Sequence, residues 1–350
     1  MIRPQPYTGP APLNVNRRSD LNAAVDELLA GEALLVTDRY STGLSLLTAL
    51  RLRLSVEGND YTRQRAYRHQ YQEASKRILA AIRSQRLDLM KAPKIGWLEV
   101  MYADLPEFYL SLPQLQGLNS SWQWHLRGLK LPVLDRRLHP LHGTYFPTRH
   151  EHLHLLADWL ERYDGARDRA VDVGTGCGVL ALMLQAAGFS EIVATDINEN
   201  ALEGLEGDLS KPPRITNITL KKTYLIGPVG DRFDLVLFNP PWLPGETHSL
   251  LDQAIYYPDN LFDDFFAAAW RALRPGGRVV LLFSDLLKTT GVTSQHPIVR
   301  ELKRRKRFEK VRLLERPVGS ASKKTRRRKR TGTKEKVQLW ELRRRGGGGA

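Results

Sequence analysis

From about residue 138 onward, short apolar segments of strand length alternate with longer segments that have the apolar periodicity of helices. The predicted strands lie at 170–173, 191–195, 218–224, 233–238 and 278–283, and the predicted helices at 151–163, 179–187, 200–209, 261–273 and 297–307. Strands and helices that alternate at this spacing fold into a parallel, doubly wound sheet. Two final alternating segments, 311–316 and 336–343, predict an antiparallel pair at its edge. The predicted fold class is therefore α/β with a mostly parallel sheet.

The chain before residue 138 has a different pattern. Helical periodicity predicts helices at 20–30, 41–54 and 61–87, a short apolar run predicts a strand at 33–37, and residues 95–134 have a mixed pattern. We therefore expect three parts, which are a smaller, mainly helical N-terminal domain over 1–137, an α/β domain over 138–345 and a flexible tail over 346–350. From its position, the N-terminal domain is expected to recruit the substrate.

The composition favours a reducing compartment. Cys177 is the single cysteine, so no disulfide can form within the chain. No run of about 18 apolar residues is present, which predicts that no segment spans a membrane. The first residues, MIRPQPYTGPAPLN, lack the apolar segment of a secretory signal. The expected location is the cytoplasm, with the nucleus left open.

The net charge of +15 is concentrated at the C-terminal end. Residues 301–350 contain 20 Lys and Arg against 5 Asp and Glu, so residues 1–300 are neutral overall. The segment 317–335, which would join the last two strands, includes a dense run of cations: Lys323, Lys324, Arg326, Arg327, Arg328, Lys329 and Arg330. Such a run predicts a polyanionic partner whose phosphates these side chains would bind. The alternative is a solvated or nuclear-targeting run.

A glycine-rich turn, VDVGTGCG at 171–178, joins the first strand of the α/β domain to the next helix. Glycines let the backbone approach a ligand closely, and the helix N-terminus behind them presents free N–H groups. Asp196 ends the second strand, where its carboxylate could accept hydrogens from both ribose hydroxyls of an adenosine. The G-x-G-x-G spacing favours an adenosyl cofactor over a nicotinamide, although a turn with glycines for packing alone is an alternative.

This stretch resembles the first motif of class I S-adenosylmethionine methyltransferases. The resemblance implies S-adenosyl-L-methionine as the cofactor and a Rossmann-like methyltransferase fold. The residues expected to bind the cofactor are Asp172, Gly174, Thr175, Gly176, Gly178, Asp196 and Ile197. The small Cys177 fits a tight turn better than a nucleophilic role, because the sequence suggests no base beside it.

The tetrapeptide Asn239-Pro240-Pro241-Trp242 directly follows the predicted strand 233–238. A nitrogen conjugated to a ring or carbonyl is a poor nucleophile, so a site that methylates it must accept its N–H hydrogens and turn its lone pair toward the methyl donor. An Asn side-chain oxygen and an adjacent backbone carbonyl can do this together, and the prolines fix φ and remove donors. Trp242 offers a flat face on which a base or amide plane can stack. An ordinary turn with a surface tryptophan is the alternative.

In this position the tetrapeptide resembles that of methyltransferases carrying [Asn/Asp]-Pro-Pro-[Tyr/Phe/Trp], a family that includes adenine-N6, guanine-N2 and glutamine-N5 enzymes. The resemblance covers roughly residues 138–345. It implies that Asn239 and the Pro240 carbonyl hold the target nitrogen, that Trp242 stacks on it and that Pro241 contacts the substrate.

The sequence departs from the family pattern at two places. Trp replaces the commoner Tyr or Phe. The third strand lacks the acidic residue that often contacts adenine, so Thr223, Tyr224 or a backbone amide would serve. Arg149 is expected near the methionine carboxylate.

Three hypotheses follow. The first is a nucleic-acid N-methyltransferase, with RNA ahead of DNA and adenine N6 as the favoured atom. The second is a protein methyltransferase that acts on a glutamine amide of a release factor or ribosome-associated protein. The third is a non-catalytic binding module, against which the intact Asn239 and glycine turn argue. The alternating His150, His152 and His154 are expected to be solvated, and no metal is expected.

Overall fold

The computed structural model describes residues 1–55, 61–228, 232–245, 254–285, 296–319 and 335–345. The chain divides into two compact units, Met1–Leu126 and Arg127–Ala350, whereas the predicted domain boundary lies after residue 137. Within the described residues, no helix is long and apolar enough to cross a membrane.

The first unit combines helices with a five-stranded sheet. Its elements are β1 (Leu13–Val15), α1 (Leu21–Ala30), β2 (Leu34–Val36), α2 (Tyr40–Leu54), α3 (Tyr61–Ser75), β3 (Ile78–Arg83), β4 (Arg86–Leu87), α4 (Trp97–Met101), β5 (Glu107–Ser111) and α5 (Leu112–Arg127). Strands β1, β2 and β3 are parallel, and β4 and β5 both pair with β3 antiparallel. Helices make up most of the regular structure, as predicted, but the sequence predicted only one strand of this sheet.

The predicted helix over 61–87 is wrong in its second half. The helix ends at Ser75, and Ile78–Arg83 is a strand whose first five residues are all buried. Five consecutive apolar residues cannot share one face of a helix, but they fit a strand covered on both faces. A two-residue turn with positive φ at Ser84 and Gln85 then leads into β4. Ser-Gln lacks the Asn-Gly signature of such turns, which explains why the sequence pattern missed it.

The second unit contains the predicted α/β domain. Its strands are β6 (Leu129–Lys130), β7 (Arg137–Leu138), β8 (Arg169–Val173), β9 (Glu191–Asp196), β10 (Ile218–Lys222), β11 (Phe233–Phe238), β12 (Leu243–Pro244), β13 (Tyr256–Tyr257), β14 (Leu273–Ser284), β15 (Phe308–Pro317) and β16 (Lys336–Arg344). Its helices are α6 (Glu151–Glu161), α7 (Val179–Ala186), α8 (Glu199–Ser210), α9 (Leu261–Ala272) and α10 (Pro297–Arg304). The helices and strands predicted for this part of the chain are confirmed, with bounds that differ by a few residues.

The main sheet of this unit has seven strands in the order β10-β9-β8-β11-β14-β16-β15. The first five strands in this order are parallel, and β16 runs antiparallel to both of its neighbours. The predicted antiparallel pair at the edge is therefore confirmed. Strand β11 is buried along its whole length, and two apolar clusters pack on either side of the sheet.

The register of the central strands places the two sequence motifs side by side. Phe238, the last residue of β11, pairs with Val173, the last residue of β8, and Val173 also pairs with Thr195 of β9. Gly174 and Asn239 therefore leave neighbouring strands at the same edge of the sheet. Ligand sites of open α/β sheets lie at this carboxyl edge.

Candidate active site

A cleft opens at the carboxyl ends of β8, β9, β10 and β11, and we call it the first cleft. Counted with the open solvent at its mouth, its empty space is about 810 Å³. Its wall is formed by Gly143, Tyr145, Val173, Gly174, Gly176, Asp196, Ile197, Asn198, Ala201, Thr223, Tyr224, Leu225, Phe238, Asn239, Pro241, Ala254 and Leu261. The predicted glycine turn and the predicted Asn239 thus meet in one cleft.

The glycine turn lies between this cleft and the backbone of Tyr145. Gly174 and Gly176 have φ of +63° and +53°, in the left-handed region that favours glycine. A Cβ on Gly176 would lie 2.9 Å from the Tyr145 carbonyl oxygen, which also accepts a hydrogen bond from the Cys177 N–H at 3.0 Å. The backbone is therefore pressed against Tyr145 on one side and open to the cleft on the other.

Three of the predicted cofactor residues lie behind the turn and do not line the cleft. Asp172 is fully buried, and its carboxylate accepts hydrogen bonds from the Thr175 hydroxyl at 2.6 Å and the Ala181 N–H at 3.0 Å. Burial, with a smaller effect from the charge of Asp196, raises the pKa of Asp172 to about 7. Gly178, at the start of α7, packs so tightly on Leu205 that it has no room for a side chain. These residues hold the turn in shape.

Asp196 lies at the end of β9 with its carboxylate in the wall of the first cleft. Each of its oxygens accepts one backbone N–H, from Gly176 at 2.9 Å and from Asn198 at 2.9 Å. Burial raises the pKa of Asp196 above its usual value, against the effect of these two hydrogen bonds. The exposed side chain of Ile197 lies next to it. Both residues line the first cleft, and each Asp196 oxygen keeps a further lone pair for a ligand.

The far wall of the first cleft comes from the end of β10. Thr223, Tyr224 and Leu225 line it, and Leu225 has a φ of +52°. The half-exposed Tyr224 donates its hydroxyl hydrogen to Asp264 at 3.4 Å. Thr223 and Tyr224 were the residues suggested for the missing acidic contact, and they are present in the wall.

The side chains of the tetrapeptide after β11 do not all line the first cleft. Asn239 and Pro241 line the first cleft, and Pro240 is buried. Trp242 does not line the first cleft. Its Nε1–H donates to the Asn239 Oδ1 at 3.2 Å and to the Leu282 carbonyl at 3.3 Å. The indole predicted to stack on the substrate is therefore hydrogen-bonded to the carboxamide beside it.

A second cleft adjoins the first and shares Tyr145 with it. Its wall is formed by Tyr145, Thr148, Arg149, Glu151, His152, Trp242, Val318 and Val337. The rings of Trp242 and His152 meet edge to face, with centroids 5.9 Å apart. Arg149 lines this cleft and pairs with Glu335 at 3.2 Å, and its expected position near the methionine carboxylate stays a prediction.

The second cleft also holds both ends of the segment that contains the basic run. The Gly319 N–H donates to Glu151 at 3.0 Å, and Glu335 accepts a hydrogen bond from the Ser284 hydroxyl at 3.0 Å. The segment therefore leaves β15 and returns to β16 at the rim of this cleft. The predicted substrate-binding residues Lys323, Lys324, Arg326, Arg327, Arg328, Lys329 and Arg330 lie outside the described residues.

The histidine prediction is wrong for one residue. His152 is buried rather than solvated, because α6 turns this position toward Trp242, and burial lowers its pKa to about 4. Cys177 is buried as well, and burial raises its pKa to about 12, so it is a poor nucleophile at neutral pH. In the part of the chain that the structure describes, no three His, Cys, Asp or Glu side chains group as metal ligands would.

Sequence reasoning missed several residues of the two clefts. Gly143, Tyr145 and Asn198 line the first cleft, and His152 lines the second. Asn198 could have been found, since an Asn directly before a helix predicts a cap, and its side chain does accept the Asn200 N–H. Tyr145 and Gly143 come from the loop before α6, where no local pattern indicates a site.

A parallel sheet with this strand order, an antiparallel strand next to its edge and ligand-facing loops at the ends of β8, β9 and β11 is a Rossmann-like fold of the methyltransferase class. The model of the family described as "Methyltransferase small domain" matches residues 153–312, which include the glycine turn, Asp196 and Asn239.

Three relatives share part of this region. The chain is 30% identical over 181 residues to the release factor glutamine methyltransferase of Deinococcus radiodurans, covering 48% of this chain and 60% of that protein. It is 36% identical over 81 residues to the ribosomal protein L11 methyltransferase of Thermotoga neapolitana, covering 23% and 30%. It is 28% identical over 134 residues to the tRNA1(Val) (adenine(37)-N6)-methyltransferase of Dyadobacter fermentans, covering 37% and 55%. The chain spans less than two thirds of the length of each of these relatives.

Proposed function

We propose that this protein is an S-adenosylmethionine-dependent methyltransferase that modifies a planar amino nitrogen of nucleic acid, with RNA ahead of DNA and adenine N6 as the favoured atom. The observation that carries the proposal is that Asn239 and the glycine turn leave neighbouring strands and line one cleft. A carboxamide that accepts N–H hydrogens is thereby held beside a surface suited to an adenosyl cofactor.

The first cleft fits S-adenosylmethionine in three respects. Gly174 and Gly176 have no side chains, so the protein backbone at this part of the wall can approach a ligand closely. The Asp196 carboxylate has lone pairs free for two ribose hydroxyls. The apolar Ile197 and Leu225 flank the space in which a flat adenine would lie. The bound cofactor supplies an electrophilic methyl group, and everything else in the reaction is positioning by the chain.

Asn239 is the group that would hold the methyl acceptor. Its Oδ1 accepts one hydrogen of a planar –NH2 group, and the Pro240 carbonyl accepts the other. These two hydrogen bonds turn the nitrogen lone pair out of conjugation and toward the first cleft. Because alignment of the nitrogen with the methyl group is what promotes the transfer, a dedicated base is not needed, and the proton leaves to water after transfer.

The second cleft supports nucleic acid as the substrate class. It adjoins Asn239 through Trp242, and its rim carries both ends of the segment with the seven cations at 323–330. A base placed in this cleft would lie beside Gly319 and Glu335, the two described ends of the segment that carries those cations. The tRNA adenine-N6 methyltransferase of Dyadobacter fermentans is a relative that modifies such a base. The single, buried Cys177 supports a reducing compartment, and we propose the cytoplasm.

A protein glutamine amide is the second candidate. The relative in Deinococcus radiodurans is named a release factor glutamine methyltransferase, and a primary amide presents the same planar –NH2 group to Asn239. For this substrate, the basic segment would bind an acidic or ribosome-bound protein.

A transfer assay separates the two candidates. The full-length protein is incubated with radiolabelled S-adenosylmethionine and, separately, total RNA, genomic DNA or ribosomal and release-factor proteins. Label in nuclease-sensitive material that mass spectrometry identifies as N6-methyladenosine supports the first candidate. Label that resists nuclease and is released by protease would refute it and support the second. The Asn260→Ala variant, a surface asparagine outside both clefts, serves as the matched control for substitutions at Asn239.

A further inference from the structure

The indole of Trp242 lies where it can control the orientation of the Asn239 side chain. Its Nε1 is 3.2 Å from the Asn239 Oδ1. An indole N–H is a donor only, and a carboxamide presents an acceptor on one side and a donor on the other. The contact therefore fixes the orientation of the amide: the atom that faces the indole must be the oxygen, and Nδ2 must point away from it.

The indole is itself held in place from two sides. Its N–H also donates to the carbonyl of Leu282 at 3.3 Å, and its ring meets the buried His152. Leu282 lies one position beyond Leu281, the partner of Phe238 at the end of β11. After Asn239 the chain continues as two prolines, which have no N–H to offer. The indole thus supplies a donor beside Asn239 that the backbone of the two prolines cannot supply.

Resting on the function proposed above, we infer that Trp242 is a positioning residue that keeps the Asn239 oxygen turned toward the methyl acceptor. A carboxamide has two orientations of nearly equal shape, and the flipped one would present Nδ2–H groups to an amino group that can only donate. The oxygen has two lone pairs, so one binds the indole while the other remains for the acceptor N–H. A phenylalanine at this position would keep an aromatic face and lose the donor.

The contact can be tested without any methyl transfer. In ¹⁵N-labelled protein, the seven tryptophans give separate indole N–H signals, and the one that disappears in Trp242→Phe belongs to Trp242. We expect Asn239→Ala to shift this signal and to accelerate its exchange with water, and Asn260→Ala to leave it in place. A Trp242 signal that is unchanged in Asn239→Ala would overturn the inference, whether or not the protein proves to methylate RNA.

The catalytic consequence is tested with total RNA as the acceptor. We expect Trp242→Phe to lower kcat about 10-fold to 100-fold, in line with the loss of one orienting hydrogen bond, with KM for RNA and affinity for S-adenosylhomocysteine within about threefold. If the ring acts only by stacking, Trp242→Phe would retain kcat and Trp242→Leu would raise KM, and this outcome would contradict the inference.

The Asn239→Asp background provides a second test. Both side-chain polar atoms of aspartate are oxygens, so there is no wrong orientation for the indole to prevent. We expect Trp242→Phe to reduce kcat by less than about threefold in this background, a strongly non-additive double-mutant cycle. An equal loss in the wild-type and Asn239→Asp backgrounds would mean that Trp242 merely supports the fold. Thermal unfolding and S-adenosylhomocysteine binding confirm that each variant is folded.

Discussion

The two clefts that adjoin Asn239 are built in different ways. The first takes much of its shape from the backbone, because the glycine turn and the ends of four strands form most of its wall. The second takes its shape from side chains that meet across long stretches of sequence, such as Arg149 and Glu335, which are 186 positions apart. A backbone surface suits a cofactor that stays the same across a family, whereas a side-chain surface can change with the acceptor. The specificity of this protein is therefore expected to lie in the second cleft.

The largest effect is expected where the two clefts meet. Asn239→Ala removes the oxygen that would orient the acceptor nitrogen, so we expect kcat to fall about 100-fold to 1000-fold, comparable with the loss of a preorganised catalytic contact. Binding of S-adenosylhomocysteine, measured by calorimetry, should change less than about twofold, since the glycine turn and Asp196 are intact. If Asn239→Ala retained the wild-type kcat, as Asn260→Ala is expected to do, Asn239 would not orient the acceptor nitrogen between the two clefts.

Asp172 is a buried carboxyl behind the glycine turn, and its titration tests how it affects the stability of the fold that forms the first cleft. The pKa of Asp172 is raised to about 7 by burial, whereas in the unfolded chain it is about 3.9, so the folded state binds this proton more tightly. The stability that this provides is fully present below about pH 4 and is lost as the pH rises through 7.

Asp172→Asn removes this titration and keeps a side chain of the same shape. Relative to this variant, the wild-type free energy of unfolding should fall by about 2 to 4 kcal/mol between pH 4 and pH 8. Denaturant unfolding at a series of pH values measures the difference. A difference that does not change with pH would show that Asp172 has an ordinary pKa and that the turn is not braced by a buried acid.

The sequence predicts the first cleft better than the second for a physical reason. The glycine turn, Asp196 and Asn239 are each adjacent to a strand whose apolar pattern is local, so their meeting follows from the rule that parallel strands end at one edge. The buried position of His152 and its contact with the partly buried Trp242 follow from the packing of α6 beside the sheet, which no local pattern encodes. In the same way, the end of the preceding helix at Ser75 was missed, because the pairing of β3 with β2 involves a distant segment that the local sequence does not reveal.

Gly176→Ala tests whether the first cleft depends on its backbone. The added Cβ would meet the Tyr145 carbonyl oxygen, and φ at this position favours glycine. We expect S-adenosylhomocysteine to bind about 5-fold to 30-fold more weakly, since strain of about 1 to 2 kcal/mol must be relieved by moving the turn. Gly207→Ala is the matched control, because a Cβ there meets nothing within 4 Å and Gly207 lies in α8 without a positive φ. Equal binding by both variants would show that the turn tolerates side chains and does not contact the cofactor closely.

The smallest effect is expected from the cations whose segment begins and ends at the second cleft. Changing Arg326, Arg327 and Arg328 to glutamine removes three charges and should make the slope of log affinity for RNA against log salt shallower by about 2. Binding at low salt should weaken about tenfold, and binding at high salt should change little. The same change at the exposed Lys303, Arg304 and Arg305 removes equal charge at the end of α10, away from both clefts as the structure describes them. Filter binding over a salt series compares the two. If both triple variants lose affinity equally, RNA responds to the overall charge of the protein, and the second cleft would have no special place in binding it.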